Sequence, residues 1–257
     1  MINHKPQKKE VFEMPSSIFS LVLMFAFSIL LVTLYIAIEV RGKPLTAFFF
    51  KGLASFSFLL VFAVSLSMKL GLLHDGTIDF SNFYMPVPIL ILLGLIAGLL
   101  GDLYLALRPL QNPKQNETII ISGIVCFSIG HIFYFSALLY LGPLSMIAIL
   151  VALIMTSFIF FMSKKLGYQM GKALIPTFIY SGLIFLMVGQ SLGYAIRVEF
   201  SAFSVMFLAG AILFAISDLI LAPIYYAGND KKLMVILNLS TYYLAQLMIA
   251  ASIIFLL

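Results

Sequence analysis

The chain has 257 residues, of which 63% are hydrophobic and 10% charged, with a mean hydropathy of +1.14 and a formal net charge of +5. Soluble domains hold roughly 25% charged and 45–50% apolar residues, so this composition excludes a soluble globular enzyme and marks an integral membrane protein. The positive balance does not point to nucleic acid, because basic residues in short membrane-protein loops report orientation, and the single cysteine, Cys126, excludes a disulfide framework or a cysteine metal site.

A membrane-spanning helix needs about 20 mostly apolar residues, since hydrocarbon offers no water to backbone groups left unpaired. Residues 1–17, "MINHKPQKKEVFEMPSS", read as a polar tail of mixed charge, and residues 18–257 as a single transmembrane domain of eight helices. In chain order the spans are expected at 18–38, 46–66, 88–107, 118–141, 144–162, 173–190, 203–226 and 233–257. The joints carry polar or turn residues, as in "EVRGKP", "HDGTIDFSN", "RPLQNPKQNE", "SKKLGYQMGK", "GYAIRVEFS" and "GNDKK". The thinnest joint, "LGPLS", implies a tight helical hairpin at Gly142 and Pro143. The first apolar run is too long for a signal-peptide core and lacks a small-residue cleavage pattern, so it is expected to stay uncleaved.

Arg41, Lys43, Arg108, Lys114, Lys164, Lys165, Lys172, Lys231 and Lys232 fall in the loops after the odd-numbered helices, against Lys69 and Arg197 in the others. The positive-inside rule then puts the odd-numbered loops in the cytoplasm and both termini outside, in the cell's inner (plasma) membrane.

Four ionisable residues lie inside the spans: Lys51, Asp102, His131 and Asp218, in the polar company of Tyr134, Asn238, Tyr242 and Gln246. Each charge costs about 2.5–3.5 kcal/mol at a helix centre on insertion scales, so these groups are expected to converge on one interior site. From a rise of about 1.5 Å per residue, Lys51, Asp102 and Asp218 come near 10 Å from the cytoplasmic surface, with His131 and Tyr242 about 5–10 Å deeper. The expected result is a pocket open to the cytoplasm. Gly94, Gly98, Asp102 and Ala106 form one small-residue stripe, and Ala211, Ala215, Asp218 and Ala222 another, which turns both aspartates toward neighbouring helices. "GDLYLA" and "SDLILA", four helices apart, are compatible with a four-plus-four parallel repeat.

"GLLGDLYLALRP", "FSIGHIFYF", "GAILFAISDLILA" and "STYYLAQLMIA", in this order, resemble the YhhN-like family of lysoplasmalogenases, or alkenylglycerophospholipid hydrolases, from about residue 41 onward. The resemblance implies an all-α bundle of eight transmembrane helices. It also implies cleavage of the vinyl ether of a lysoplasmalogen to a fatty aldehyde and a glycerophospho-alcohol, with a lysolipid and the surrounding membrane lipid as partners. Families of this kind carry a lysine followed by proline and leucine where the second helix begins. Here Lys51 in "FFFKGL" takes that place, with glycine for proline, although "KPL" also occurs at Lys43.

Vinyl ether hydrolysis needs an acid for the outer alkene carbon, a negative charge near the resulting oxocarbenium ion, and a positioned water. Two carboxylates sharing a cavity cannot both ionise cheaply, so one of Asp102 and Asp218 is expected to hold its proton as the general acid while the other steadies the cation or activates water; the sequence leaves open which. His131 is expected to orient water or tune an aspartate, with Tyr134, Tyr242 and Gln246 as hydrogen-bond donors. Lys51, with Arg108 and Lys43, is a candidate for the headgroup phosphate. No cofactor or metal is expected, since one membrane histidine falls short of the usual ligand set.

Competing structural roles are an Asp102 ion pair with Arg108 or Lys51, and helix-to-helix hydrogen bonding by the tyrosines and Gln246. Tyr84, Tyr168, Tyr225 and Tyr226 read as interfacial belt residues, and His74 with Asp75 as a solvated turn. The rival function is a proton-coupled transporter of a small or lipidic solute.

Overall fold

A computed structural model describes residues 16–72 and 85–256. Residues 1–15 of the polar tail, His74, Asp75 and Tyr84 lie outside them, while Ser16 and Ser17 already belong to the first helix. The described residues form eight α-helices, four single-turn 3-10 helices and no strand, the α-helices being α1 (Ser16–Glu39), α2 (Pro44–Lys69), α3 (Pro86–Ala106), α4 (Asn116–Leu141), α5 (Met146–Lys165), α6 (Leu174–Arg197), α7 (Ala202–Tyr226) and α8 (Lys232–Ser252). All eight are long and apolar enough to cross a membrane, and the chain is a multi-pass membrane protein.

Helix ends follow local chemistry. Pro44 opens α2, where its missing N–H would have had no partner anyway. Ser145 caps α5 by accepting the Ile147 N–H at 3.2 Å. The hairpin at Gly142 and Pro143 is held by Gln190 of α6, which accepts the Ser145 N–H at 2.9 Å and donates to the Pro143 carbonyl at 3.1 Å. One boundary differs from expectation: "GYAIR" is not a joint, and α6 runs on to Arg197. Gly193 is small there because Ser145 packs against it, and the turn itself is confined to the next few residues, with Glu199 and Phe200 at positive φ.

Six helices close a ring in the order α2, α3, α4, α6, α7, α8 and back to α2, each packed on the next. α1 lies outside it against α2 and α8, and α5 lies outside it against α6. Only 11% of the apolar window is buried in α1 and in α5, against 33–50% in the ring helices, so these two present most of their surface to lipid. The pattern repeats by halves: α1 on α2 matches α5 on α6, α2 on α3 matches α6 on α7, α3 on α4 matches α7 on α8, and α2 on α8 matches α6 on α4. α3 and α7 begin at Pro86 and Ala202, and α4 and α8 at Asn116 and Lys232. That is the spacing between Asp102 and Asp218, and also between Gly94 and Gly210, the glycines over which Tyr134 of α4 and Ile249 of α8 pack. The four-plus-four relation therefore extends from the short sequence match to helix pairing.

Close approach limits side-chain size where α5 crosses α6. A methyl on Gly189 would stand 2.6 Å from the Ala148 Cα and 2.9 Å from the Ile147 carbonyl oxygen, both backbone atoms. Gly189→Ala is expected to destabilise by about 1–3 kcal/mol through overpacking. A methyl on Gly52 meets only Leu103 Cδ2 at 3.4 Å, so Gly52→Ala is expected to stay within about 0.5 kcal/mol. Thermal unfolding of the two variants in detergent measures the difference.

Candidate functional site

The two aspartates occupy equivalent places in α3 and α7, yet their surroundings differ. Asp102 is only 2% exposed and fully partnered. Lys51 of α2 places its ammonium 3.4 Å from Oδ1. Ser55, one helical turn further on, donates to Oδ2 at 2.6 Å, and the Tyr242 hydroxyl of α8 donates to the same oxygen at 2.7 Å. Ser55 has a single hydroxyl proton to give, so the Tyr243 hydroxyl, 3.1 Å away, donates to it in turn.

Behind Tyr242 the donors continue in one direction. Tyr134 of α4 donates to Gln246 Oε1 at 2.8 Å, and Gln246 Nε2 donates to the Tyr242 oxygen at 3.3 Å. Each link polarises the next, and the chain ends on the Asp102 carboxylate. The α3 glycine stripe makes room for it: a methyl on Gly94 would strike the Tyr134 ring, and one on Gly98 would lie 2.6 Å from Gln246 Nε2. The stripe thus accommodates polar side chains from α4 and α8 as well as the helices that carry them.

Asp218 is half-buried and sparsely held. Ser217 offers a long contact of 3.4 Å to Oδ1 while also donating to the Phe214 carbonyl at 2.9 Å. Oδ2 is buried without a hydrogen-bond partner. The Tyr180 hydroxyl of α6 lies within electrostatic reach. Asn238 donates to the Ser217 carbonyl at 2.7 Å, which pins α8 to the turn that carries Asp218. No cation faces Asp218 from α6, whose one basic residue, Arg197, stands at the far end of the helix.

Both carboxylates line one cavity of about 570 Å³, with Lys51, Tyr180, Asn238 and Tyr242 also on its wall. It extends past Glu39, Arg108 and Asp230 to the end of the bundle where the α1–α2, α3–α4 and α7–α8 connections lie. Arg108 does not reach Asp102; its guanidinium sits 4.6 Å above the ring of Tyr225, at the cavity mouth.

Three groups of expected residues take places that the sequence did not specify. His131, Tyr134 and Gln246 do not line the cavity. Tyr134 and Gln246 reach it only through Tyr242. His131, 1% exposed, is enclosed by aromatic rings, with Phe214 edge-on at 4.6 Å and Tyr180 at 5.5 Å, and its Nδ1 lies 3.4 Å from Met187 Sδ. Lys51 is paired with Asp102 and stands below the mouth, with its ammonium already engaged. Tyr225 and Tyr226 are not belt residues: the first lines the cavity under Arg108, and the second is buried with its hydroxyl 2.7 Å from Thr177 Oγ1.

Sequence reasoning missed Ser55, Tyr243 and Tyr180. Ser55 had a readable signal, since it follows Lys51 at the spacing that puts two side chains on one helix face. Tyr35 and Glu39 of α1 were also missed, yet both line the cavity. No curated protein and no solved structure matches the chain. The YhhN family matches residues 46–253, from the first turn of α2 to the residue after α8, and thus takes in every helix of the ring. The chain belongs to the YhhN family.

Proposed function

We propose that the protein hydrolyses the vinyl ether bond of single-chain alkenyl glycerophospholipids, with Asp218 as the proton donor and Asp102 as the fixed negative charge. The observation that carries this reading is the unequal treatment of two carboxylates on one cavity. A carboxylate that accepts an ammonium and two hydroxyl protons has no proton to give, whereas Asp218, with no cation beside it and one oxygen free, suits a group that carries one. Pairs of acids held in contrasting environments divide acid and base roles in this way.

In the proposed reaction the Asp218 proton passes to the outer alkene carbon as the carbon–carbon double bond opens. The adjacent carbon becomes an oxocarbenium ion, which the Asp102 charge stabilises across the cavity. Water adds to that carbon and returns a proton to Asp218, restoring the acid. The resulting hemiacetal collapses to a fatty aldehyde and a glycerophospho-alcohol, so one water is consumed and no other reactant is needed.

Arg108 at the mouth is the better-placed phosphate ligand, because Lys51 already answers Asp102. The apolar wall, including Ile120, Ile124, Ile184 and Phe185, suits the hydrocarbon chain. In the orientation with the odd-numbered loops in the cytoplasm, the mouth opens at the inner face of the plasma membrane.

Purified protein in detergent, given an alkenyl lysolipid, is expected to release fatty aldehyde. Tyr242→Phe should lower kcat by about 10- to 100-fold, the loss of one hydrogen bond to a charged group. Solute uptake into sealed vesicles without aldehyde release would favour the transporter instead.

A further inference from the structure

Among the described residues, seven buried side-chain polar atoms have no hydrogen-bond partner. Three of them, Asn116 Oδ1, Ser181 Oγ and Asp218 Oδ2, belong to residues that line the cavity. All three lie on its α4, α6 and α7 side, whereas Lys51, Asp102 and Tyr242 on the opposite side satisfy one another with the help of Ser55 behind them. Buried polar atoms are nearly always paired, so three orphans along one wall mark the place of polar atoms that a ligand brings.

Ser181 is the most informative of the three. Buried helical serines in this protein commonly turn their hydroxyl back onto a carbonyl about one turn earlier, as Ser57, Ser191, Ser217 and Ser252 do at 2.7–2.9 Å. Ser181 makes no such bond, although it is only 6% exposed. Its hydroxyl therefore stays available, on α6 between the cavity mouth and the level of Asp218. The Arg108 guanidinium at the mouth is the stronger ligand for a phosphate, and a hydrocarbon chain offers nothing to the Ser181 hydroxyl. Its complement is another neutral hydroxyl.

We propose that Ser181 is a specificity residue that receives the free hydroxyl of the glycerol backbone, and so favours lipids with that position unacylated. This rests on the reading that a single-chain glycerolipid occupies the cavity. An ester at the same position would bring no donor and would bury the Ser181 hydroxyl against a group that only accepts, which removes one of the two ways the pair can bond.

The test separates binding from hydrolysis by using saturated ether lipids, which cannot be cleaved at a vinyl ether. Calorimetric binding to the full-length protein in detergent compares a saturated ether lysophosphocholine with its analogue carrying hydrogen in place of the glycerol hydroxyl. Wild type is expected to prefer the hydroxylated lipid by about 5- to 10-fold, the worth of one neutral hydrogen bond. Ser181→Ala should bind the two alike. Ser65→Ala removes an equally orphaned serine that does not line the cavity, and it should keep the wild-type preference. Equal binding of the two lipids by wild type, or an undiminished preference in Ser181→Ala, overturns the proposal. Binding of neither lipid overturns it together with the reading it rests on. A Ser181-dependent preference in a protein that releases no aldehyde upholds the subsite and discards the hydrolase.

Discussion

Replacement of Asp218 by asparagine is expected to lower kcat for vinyl ether cleavage by about 100- to 10,000-fold, the range for loss of a positioned general acid. The change is isosteric. The carboxyl is held only loosely, by the 3.4 Å contact from Ser217, which already has a better acceptor in the Phe214 carbonyl, and by the nearby Tyr180 hydroxyl, to which an amide oxygen still offers an acceptor, so folding should be spared. The informative measurement pairs steady-state aldehyde release with thermal unfolding of the same preparation. Lost turnover with an unshifted transition assigns Asp218 to the chemistry, and turnover near the wild-type rate would remove it from the mechanism.

Asp102 is expected to behave in the opposite way, with its largest effect on stability. Asp102→Asn leaves the Lys51 ammonium buried without its counter-charge, and Lys51→Met leaves the carboxylate with two hydroxyl donors and no cation. Breaking a buried pair from one side costs about 3–5 kcal/mol, because the surviving charge stays desolvated and unanswered. The double variant carries neither charge and should recover most of that loss while remaining inactive, because the cation formed during cleavage then has no negative partner. Unfolding midpoints of the two single variants and the double variant form a cycle that isolates the pair. Additive losses would show that Lys51 and Asp102 do not act on each other in the folded protein.

Most of the helical architecture was legible in the sequence because hydrocarbon imposes it: each apolar run of spanning length has to become a helix, and polar joints mark where it ends. The exception, the far end of α6, arose because Gly193 reads locally as a turn residue and its smallness serves packing against Ser145, a contact distant in sequence. The charged members of the cavity were legible for a related reason, since the cost of a buried charge makes Lys51, Asp102 and Asp218 conspicuous wherever they fall in an apolar run. Their hydrogen-bond partners were harder to read. Tyrosine, serine and glutamine are inexpensive in membrane helices, so nothing in composition separates Tyr242, which touches Asp102, from Tyr134, which acts two links away. His131 misled because an ionisable side chain on the same helix face as Tyr134 read as a site residue, while its ring packs among Phe214 and Tyr180 as an aromatic neighbour would.

A bundle made of two matching halves offers any guest in its central hollow two equivalent seats, related by half a turn, and a lipid that enters head-last could settle in either. Lysine stands beside the acid in only one half, so that seat is already occupied by protein, and the degeneracy is lifted before a guest arrives. On the proposed function, the near-symmetric frame then takes its guest in a single handed pose, in which one face always meets the unpaired acid.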